Sequence, residues 1–257
     1  MRFPRPFVPV AVAAAAALVF LASPACRKDA PPPSGKEESV RTAPRQDTNP
    51  RYDAAAFDEI ARTVFRPIYP SLASQMKSSY NLTGGVAVDA GCGPGYWALE
   101  LAKATELKVY ALDIDPAAAA IAGRNIKAAG LEGRVEAVVG DVQAMPFADG
   151  LADLVVSRGS YLFWPDKVQA FREIWRILKP GGVAFIGGGL GSDLPLEDRT
   201  RIQEVMAERK IGPPQELEMT FEEMGAVLRS AGIPDFKVSH DAGCLCGLWV
   251  EFRKPKG

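Results

Sequence analysis

The chain has 257 residues, of which 47% are hydrophobic and 24% charged, and its formal net charge at pH 7 is −1. This composition is typical of a globular protein, and the length suffices for one large domain with a complete core. Lysines and arginines are scattered along the chain and create no large basic field. We therefore expect nucleic acid to be neither substrate nor partner.

The N-terminal segment has the pattern of a bacterial export signal. Arg2 and Arg5 precede the apolar run "AVAAAAALVFLA" (11–22), and small residues then lead to Cys26. The segment resembles a bacterial lipoprotein signal in which Cys26 is lipidated, which implies an exported, membrane-associated protein. Two alternatives stay open: simple cleavage after Ala25, and an uncleaved anchor that leaves the domain facing the cytoplasm.

The chain divides into three segments of different composition. We assign residues 1–25 to the signal peptide or anchor. Residues 26–52 are rich in proline, serine and mixed charge, and almost lack large aliphatic side chains. Such a segment buries too little surface to compensate for its ordering entropy, so we predict a disordered tether. Residues 53–257 form the predicted folded domain.

Regular hydrophobic periodicity begins near residue 53, and two short helices are predicted to meet at a bend marked by Pro67 and Pro70. Strands and helices then alternate. The turn "LKPGG" (178–182) is expected to separate the central amphipathic helix from the fifth strand. Thr220 and Glu223 predict a capping box. The predicted strands cover 85–90, 108–115, 134–141, 151–159, 181–189, 236–241 and 245–254, and the later helices 96–104, 116–130, 166–177, 195–208 and 221–231.

This alternation predicts right-handed crossover connections and a mostly parallel sheet with helices on both faces. The last two strands have no helix between them, which requires antiparallel pairing at one edge. The expected fold is therefore α/β, with a doubly wound, Rossmann-like sheet of seven strands and an antiparallel edge strand.

The stretch "GVAVDAGCGPGYW" places Gly91, Gly93 and Gly95 directly after the first strand, where an open parallel sheet binds its ligands. Dinucleotide-binding enzymes use G-x-G-x-x-G, but Tyr96 stands here where the third glycine would be. Asp89 would repel a pyrophosphate and attract an ammonium group. A ligand with a cationic amino-acid end and an adenosine end fits both observations, and S-adenosylmethionine is such a ligand.

In these motifs the chain resembles the class I S-adenosylmethionine-dependent methyltransferases, specifically their type 11-like, small-molecule group. The resemblance implies that "VDAGCGPGY" holds the methionine end of the cofactor and that Asp113 in "ALDID" binds both ribose hydroxyls. It places Asp141 at the adenine amino group, with Val142 beside the ring. The complete set of cofactor-binding residues predicted in this way is Asp89, Gly91, Gly93, Gly95, Asp113, Ile114, Asp141, Val142 and Ser157.

Methyl transfer from a sulfonium is an in-line displacement in which the cofactor supplies the reactivity and the protein supplies alignment and sometimes a base. We expect the acceptor, an unidentified small molecule, beside residues 157–161. This segment lacks the Asn/Asp-Pro-Pro-Tyr/Phe pattern of enzymes that methylate adenine N6 or glutamine. No catalytic residue is assigned. The candidates are Arg158 for an anionic acceptor, Tyr69 and Tyr161 as pocket walls, and His240 as a base.

Other functions stay open at this point. The chain is alternatively an exported or membrane-tethered module that binds an adenosine-type ligand without catalysis, while the glycine spacing disfavours a nicotinamide oxidoreductase. The joint presence of Asp89, Asp113 and Asp141 favours the enzyme. Cofactor synthesis is cytoplasmic, whereas the N-terminus has an export pattern, so the side of the membrane is open.

Cys244 and Cys246 lie two residues apart in a strand-like run and therefore project to the same face. We interpret them as small buried strand residues. The alternative is a thiol pair for a soft metal, but two thiolates alone are an incomplete site. We predict no metal site.

Overall fold

The computed structural model describes residues 53–241 and 247–256. The predicted signal or anchor, the tether and Cys26 lie outside these residues, as do Cys244 and Cys246. Within the two described ranges, no helix combines the length and the apolar character needed to cross a membrane.

Helices and strands alternate along the described chain, as the sequence predicts. In chain order the elements are α1 (Ala54–Thr63), α2 (Ile68–Tyr80), β1 (Gly84–Ala90), α3 (Tyr96–Ala104), β2 (Glu106–Asp113), α4 (Pro116–Ala128), β3 (Val135–Val139), β4 (Ala152–Arg158), α5 (Lys167–Ile177), β5 (Leu178–Gly187), α6 (Leu196–Arg209), α7 (Phe221–Ser230), β6 (Lys237–Ser239) and β7 (Trp249–Arg253). Short 3-10 helices at Val142–Ala144, Ser160–Phe163 and Gln215–Leu217 were not predicted.

The strands form one sheet in the order β3-β2-β1-β4-β5-β7-β6. Strand β1 lies between β2 and β4 and is parallel to both, so the chain changes direction across the sheet at β1. This switch point opens a cleft at the carboxyl ends of the strands. Strand β7 is antiparallel to β5 and to β6. The predicted doubly wound sheet and its antiparallel pair are confirmed. Strand β7 lies between β5 and β6, so β6 is the edge strand.

Local sequence signals account for several helix ends. The side chain of Asp115 accepts a hydrogen bond from the N–H of Ala117 at the start of α4. Thr220 and Glu223 form the predicted capping box at the start of α7. The predicted bend is present at Pro67, because α1 ends at Thr63 and α2 begins after Pro67. The prediction is wrong for Pro70, which lies in the first turn of α2, where a proline needs no backbone N–H and does not interrupt the helix.

The connection between α5 and β5 differs from the prediction. The helix ends at Ile177 and β5 begins at the next residue, so "KPGG" is not a turn ahead of the strand. Leu178 pairs with Ala152 and Val183 pairs with Leu154 of β4. The residues between Leu178 and Val183 therefore form a bulge opposite a single residue of the neighbouring strand.

Each face of the sheet carries a hydrophobic core. One contains fully buried side chains of α2 and α3, such as Leu72 and Leu101, and the other contains those of α5 and α7, such as Ile174 and Leu228. Because helices cover both faces, the cleft at the ends of the strands is where a ligand approaches the sheet.

Candidate active site

Asp89 lies near the carboxyl end of β1, beside the switch point, and only 2% of its surface is exposed. The pKa of this carboxyl group is raised to about 7, mainly by burial and also by the charge of Asp113, although a hydrogen bond from the N–H of Ala98 acts in the opposite direction. Its Oδ2 atom has no hydrogen-bond partner among the described residues. A buried carboxylate oxygen without a donor is costly, so this atom is suited to a cationic ligand group.

The turn after β1 has three glycines with positive φ angles, 76° at Gly91, 53° at Gly93 and 81° at Gly95. Side chains are excluded there for a second reason. A Cβ atom at Gly91 would lie 2.3 Å from the Cβ of Ser160, and one at Gly95 would lie 3.0 Å from the Cβ of Ala122. At Gly91 and Gly95, backbone conformation and protein packing therefore already require glycine.

Asp113 ends β2 and is largely buried. Its Oδ2 atom accepts the N–H of Gly93 at 2.8 Å, and its Oδ1 atom accepts the N–H of Asp115 at 3.0 Å. Burial raises the pKa of this carboxyl group, and the two backbone hydrogen bonds lower it. Each oxygen retains a lone pair that can accept a hydroxyl group. The neighbouring Ile114 is 50% exposed, which makes it an available apolar contact for a flat ring.

Asp141 follows β3 and has a structural role of its own. It caps the short helix Val142–Ala144, with Oδ1 accepting the N–H of Gln143 at 2.8 Å. The side-chain amide of Gln143 lies 3.2 Å from both carboxylate oxygens. Val142 is buried. A contact between Asp141 and a cofactor would therefore use the lone pairs that this cap leaves.

Ser157 is fully buried in β4, and its Oγ atom lies 2.6 Å from that of Ser160. Ser160 donates its proton to the carbonyl of Ala90 at 2.8 Å, so Ser157 is the donor between the two hydroxyls. Its proton is committed to holding Ser160 against the glycine turn. The structure thus gives Ser157 a supporting role, where the resemblance predicted a direct cofactor contact.

Arg158 ends β4 in the other half of the cleft. Its Nε atom donates to the carbonyl of Gly189 at 2.9 Å, and its guanidinium carbon lies 4.6 Å from the ring centroid of Phe65. Burial lowers the pKa of this guanidinium, while the Tyr69 phenol and the Asp241 carboxylate favour its charged form. The segment that contains α1 and α2 therefore covers the end of β4.

The two tyrosines predicted as pocket walls are both buried. Burial raises the pKa of Tyr69 to about 12. Burial and the charge of Glu218 raise the pKa of Tyr161 to about 12 as well. Both phenols are therefore neutral at pH 7 and act as hydrogen-bond donors rather than as bases. The ring of Tyr69 also packs 5.8 Å from that of Tyr96, at the start of α3.

His240 directly follows β6. It is exposed, its Nδ1 atom lies 2.8 Å from the carbonyl oxygen of Gly247, and its ring packs 4.5 Å from that of Phe221. Across the described parts of the chain, no hydrogen bond or ring contact joins His240 to Arg158 or Tyr69. The prediction that His240 acts as a general base therefore gains no structural support.

Sequence reasoning missed Asp241, which lies between β6 and β7 and is almost fully buried. Its carboxylate accepts the N–H groups of Leu190 at 2.7 Å and Gly191 at 3.0 Å, and the indole N–H of Trp249 at 2.6 Å. Arg199 forms an ion pair with it at 3.5 Å. This network fixes the loop after β5, whose carbonyl binds the guanidinium described above. A single aspartate after a strand gives no sequence signal for such a role.

The strand ends thus present groups that match the parts of S-adenosylmethionine. Asp89 offers a buried anionic oxygen to an ammonium group, and Asp113 offers lone pairs to a ribose diol. Ile114 and Val142 supply apolar surface. In the part of the chain that the structure describes, no cluster of three histidine, cysteine, aspartate or glutamate side chains is placed to hold a metal ion.

Known proteins resemble this chain across the strands that carry the site. The family model of a methyltransferase domain matches residues 88–186, which run from β1 into β5. A solved structure of an S-adenosyl-L-methionine-dependent methyltransferase from Methanococcus maripaludis is 36% identical, with a TM-score of 0.70. The match covers 79% of this chain and 93% of that one.

Curated relatives match over shorter regions. Ajmaline N-methyltransferase from Rauvolfia serpentina is 36% identical over 126 residues, which are 49% of this chain and 43% of that protein. The uncharacterized methyltransferase YdaC from Bacillus subtilis is 30% identical over 104 residues, 40% of this chain and 55% of that protein. The chain thus spans about half the length of the curated relatives that it matches.

The similarity to the Methanococcus maripaludis protein extends over nearly all of that chain, at an identity that indicates common ancestry as well as a common fold. The glycine turn and the two strand-end carboxylates lie inside the matched region. This chain belongs to the S-adenosylmethionine-dependent methyltransferases, an enzyme family with a Rossmann-like α/β fold and S-adenosylmethionine as its cofactor.

Proposed function

We propose that this protein transfers the methyl group of S-adenosylmethionine to a small-molecule acceptor. The observation that carries the proposal is the pair of buried carboxylates at the ends of adjacent strands. Asp89 keeps one oxygen without a partner, and Asp113 is fixed by the N–H groups of Gly93 and Asp115. This arrangement suits a ligand with an ammonium group at one end and a ribose further along the cleft.

In this assignment Asp89 faces the ammonium group of the methionine end, and Asp113 accepts the ribose hydroxyls. Ile114 and Val142 contact the adenine ring, and Asp141 accepts its amino group. When bound, the cofactor supplies a methyl group on a positively charged sulfur, which is the electrophile of the reaction. The chain's own contribution is to hold both reactants in line and to exclude water.

The residues near the end of β4 support alignment of the acceptor rather than removal of a proton. Arg158 is a cation, and Tyr69 and Tyr161 have pKa values of about 12, so none of these groups is a base at neutral pH. We therefore propose an acceptor whose attacking atom carries a free lone pair before the methyl group arrives. The small size of the acceptor is supported by a relative that is named as an N-methyltransferase of ajmaline.

Binding of an adenosine-type ligand without catalysis is the weaker candidate. Its support was the export pattern of the N-terminus, whereas the three relatives described above are named as methyltransferases. The complete set of strand-end carboxylates also matches an active cofactor site.

We further propose attachment of the exported protein to a membrane through its N-terminus. The support is the sequence pattern of residues 1–25 and the cysteine that follows, which lie outside the described residues. The test is membrane fractionation of the full chain and of its Cys26→Ser variant. Lipidation predicts that the wild type sediments with membranes and that the variant leaves them; an uncleaved anchor predicts that both sediment, and two soluble proteins would contradict attachment.

Calorimetric titration with S-adenosylmethionine tests the cofactor site. We expect Asp113→Ala to weaken binding at least tenfold, about 1.4 kcal/mol, because the ribose loses its acceptors. Asp198→Ala is the matched control, since Asp198 pairs with Arg201 in α6 at the surface. A folded wild-type protein that does not bind the cofactor would contradict the proposed function.

A further inference from the structure

The position of Arg158 separates it from the cofactor residues. Apart from Ser157, whose proton holds Ser160 against the glycine turn, the predicted cofactor contacts lie at the ends of β1, β2 and β3. Arg158 instead ends β4 and pairs with Gly187 at the end of β5. These two groups of strands lie on opposite sides of the switch point. A ligand group that meets Arg158 therefore lies in the half of the cleft that the cofactor leaves to the acceptor.

The guanidinium of Arg158 is held in a fixed orientation. The carbonyl of Gly189 accepts its Nε–H at 2.9 Å, and the ring of Phe65 lies against its face with a separation of 4.6 Å from the guanidinium carbon. These contacts leave the N–H groups on Nη1 and Nη2 available. Within residues 53–241 and 247–256, no protein acceptor binds them. The outer edge of the guanidinium is the edge that binds carboxylates and phosphates through two parallel hydrogen bonds.

The charge of Arg158 is not neutralised by an ion pair with any described carboxylate. Asp241 is close enough to favour the charged guanidinium, but its carboxylate binds Arg199, Trp249 and the N–H groups of the loop after β5. Buried charges in folded proteins are normally paired. A fixed, sheltered guanidinium without a counter-ion is therefore suited to bind an anionic ligand.

Two phenols add neutral donors to this half of the cleft. Tyr69 lies near Arg158, in the same hydrophobic core as Phe65. Tyr161 lies next to Gly188, where a Cβ atom would be 3.6 Å from its ring, and Gly188 precedes the glycine that binds Arg158. In the described chain neither hydroxyl has a hydrogen-bond partner. One cation and two phenol donors together favour an oxyanion.

We propose that Arg158 binds a carboxylate or phosphate group of the methyl acceptor, so that the substrates of this enzyme are small anionic molecules. The inference rests on the proposed function, because it assumes that the cofactor occupies the half of the cleft at β1, β2 and β3. In this inference Arg158 determines which acceptor binds. It takes no part in the transfer of the methyl group itself.

The test uses the protein saturated with S-adenosylhomocysteine, so that no methyl group is transferred. Benzoate and phenyl phosphate are titrated by calorimetry and compared with benzamide, the neutral analogue of benzoate. We expect the wild type to bind the two anions at least tenfold more tightly than benzamide. Arg158→Gln should abolish this preference and Arg158→Lys should retain part of it. Arg201→Gln, which removes a surface guanidinium of α6, should leave it unchanged.

Two results would overturn the inference. One is a wild type that binds S-adenosylhomocysteine but does not bind the anions more tightly than benzamide. This comparison needs no variant, so it tests the inference even if Arg158→Gln fails to fold. The other is an Arg158→Gln protein that loses affinity for S-adenosylhomocysteine but keeps the preference for anions, which would assign the guanidinium to the carboxylate of the cofactor. A folded wild type that does not bind S-adenosylhomocysteine would instead contradict the proposed function.

Discussion

The two halves of the cleft are built in different ways. The cofactor half consists of backbone N–H groups and of carboxylates that lie in the last two residues of β1 and β2 or just after β3. Its central contact joins Asp113 to the N–H of Gly93. The acceptor half, at the ends of β4 and β5, is assembled from side chains of separate segments. Phe65 and Tyr69 come from the N-terminal helical region, Arg158 from β4 and Tyr161 from the following 3-10 helix.

This difference explains why one half was predicted in detail and the other only as candidates. Binding groups that lie next to one another in the sequence form a motif, and the spacing of a motif can be recognised. The guanidinium of Arg158 acquires its orientation from Phe65 and Gly189, which lie far from it in the sequence. Long-range contacts of this kind leave no local pattern.

The largest effect should arise from the network that supports the acceptor half. Asp241→Ala removes the carboxylate that faces the buried Arg199 and leaves the N–H groups of Leu190 and Gly191 without their acceptor. We expect the free energy of unfolding, measured by urea denaturation, to fall by about 3–5 kcal/mol. Asp198→Ala removes an exposed partner of Arg201 and should cost less than about 1 kcal/mol. Equal losses in the two variants would show that the Asp241 network does not support this half.

A smaller loss of stability is expected in the cofactor half, where the backbone conformation of the glycine turn determines which residues fit. Gly91→Ala forces an alanine into φ 76° and places its Cβ 2.3 Å from that of Ser160, so we expect a loss of about 2–3 kcal/mol in the free energy of unfolding. Gly130→Ala is the control, because Gly130 has φ 67° but open space around it, and should cost about 1 kcal/mol.

The clash at Gly91 is itself testable. Ser160→Gly in the Gly91→Ala background should restore part of the lost stability, since it removes the atoms that the new methyl group meets. Two results together would show that backbone conformation alone requires glycine at this position. One is a double variant that recovers no stability, and the other is an equal loss of stability in Gly91→Ala and Gly130→Ala.

The smallest effect concerns the charge of Asp89, whose pKa is raised by burial to about 7. Below pH 7 the carboxyl group is protonated and loses its attraction for an ammonium group. We expect calorimetry to show that the affinity for S-adenosylmethionine falls as the pH decreases below about 7, by up to tenfold per pH unit. In Asp89→Asn this dependence should disappear. An affinity of the wild type that is constant between about pH 6 and pH 8 would contradict the assignment of Asp89.

The same group should influence the ligand-free protein in the opposite direction. The native pKa of about 7 lies above the ordinary value of 3.8, so the native state holds the proton more tightly than the unfolded chain between these values. The contribution of Asp89 to stability is therefore complete below about pH 4 and is lost as the pH rises through 7, by up to about 1.4 kcal/mol per pH unit. Comparison of urea denaturation of the wild type and Asp89→Asn across this range measures the loss.

Several features of the fold were predictable because they depend on a few neighbouring residues. Helix α3 covers the predicted residues 96–104, and the capping box at Thr220 is present. The bulge after Leu178 was missed because proline and glycine indicate a turn equally well. Only the pairing with β4 distinguishes the two.

The sequence by itself determined the alternation of strands and helices, the glycine turn after β1 and the carboxylates at the ends of β1 and β2, because strand burial and turn conformation are local consequences of residue type. The tertiary structure decided what cannot be local. It inserted β7 between β5 and β6, packed Ser160 against Gly91, and joined Asp241 to the loop after β5. Among the described residues it also left Arg158 fixed and without an ion-pair partner, since the charge environment of a side chain depends on every segment that folds around it.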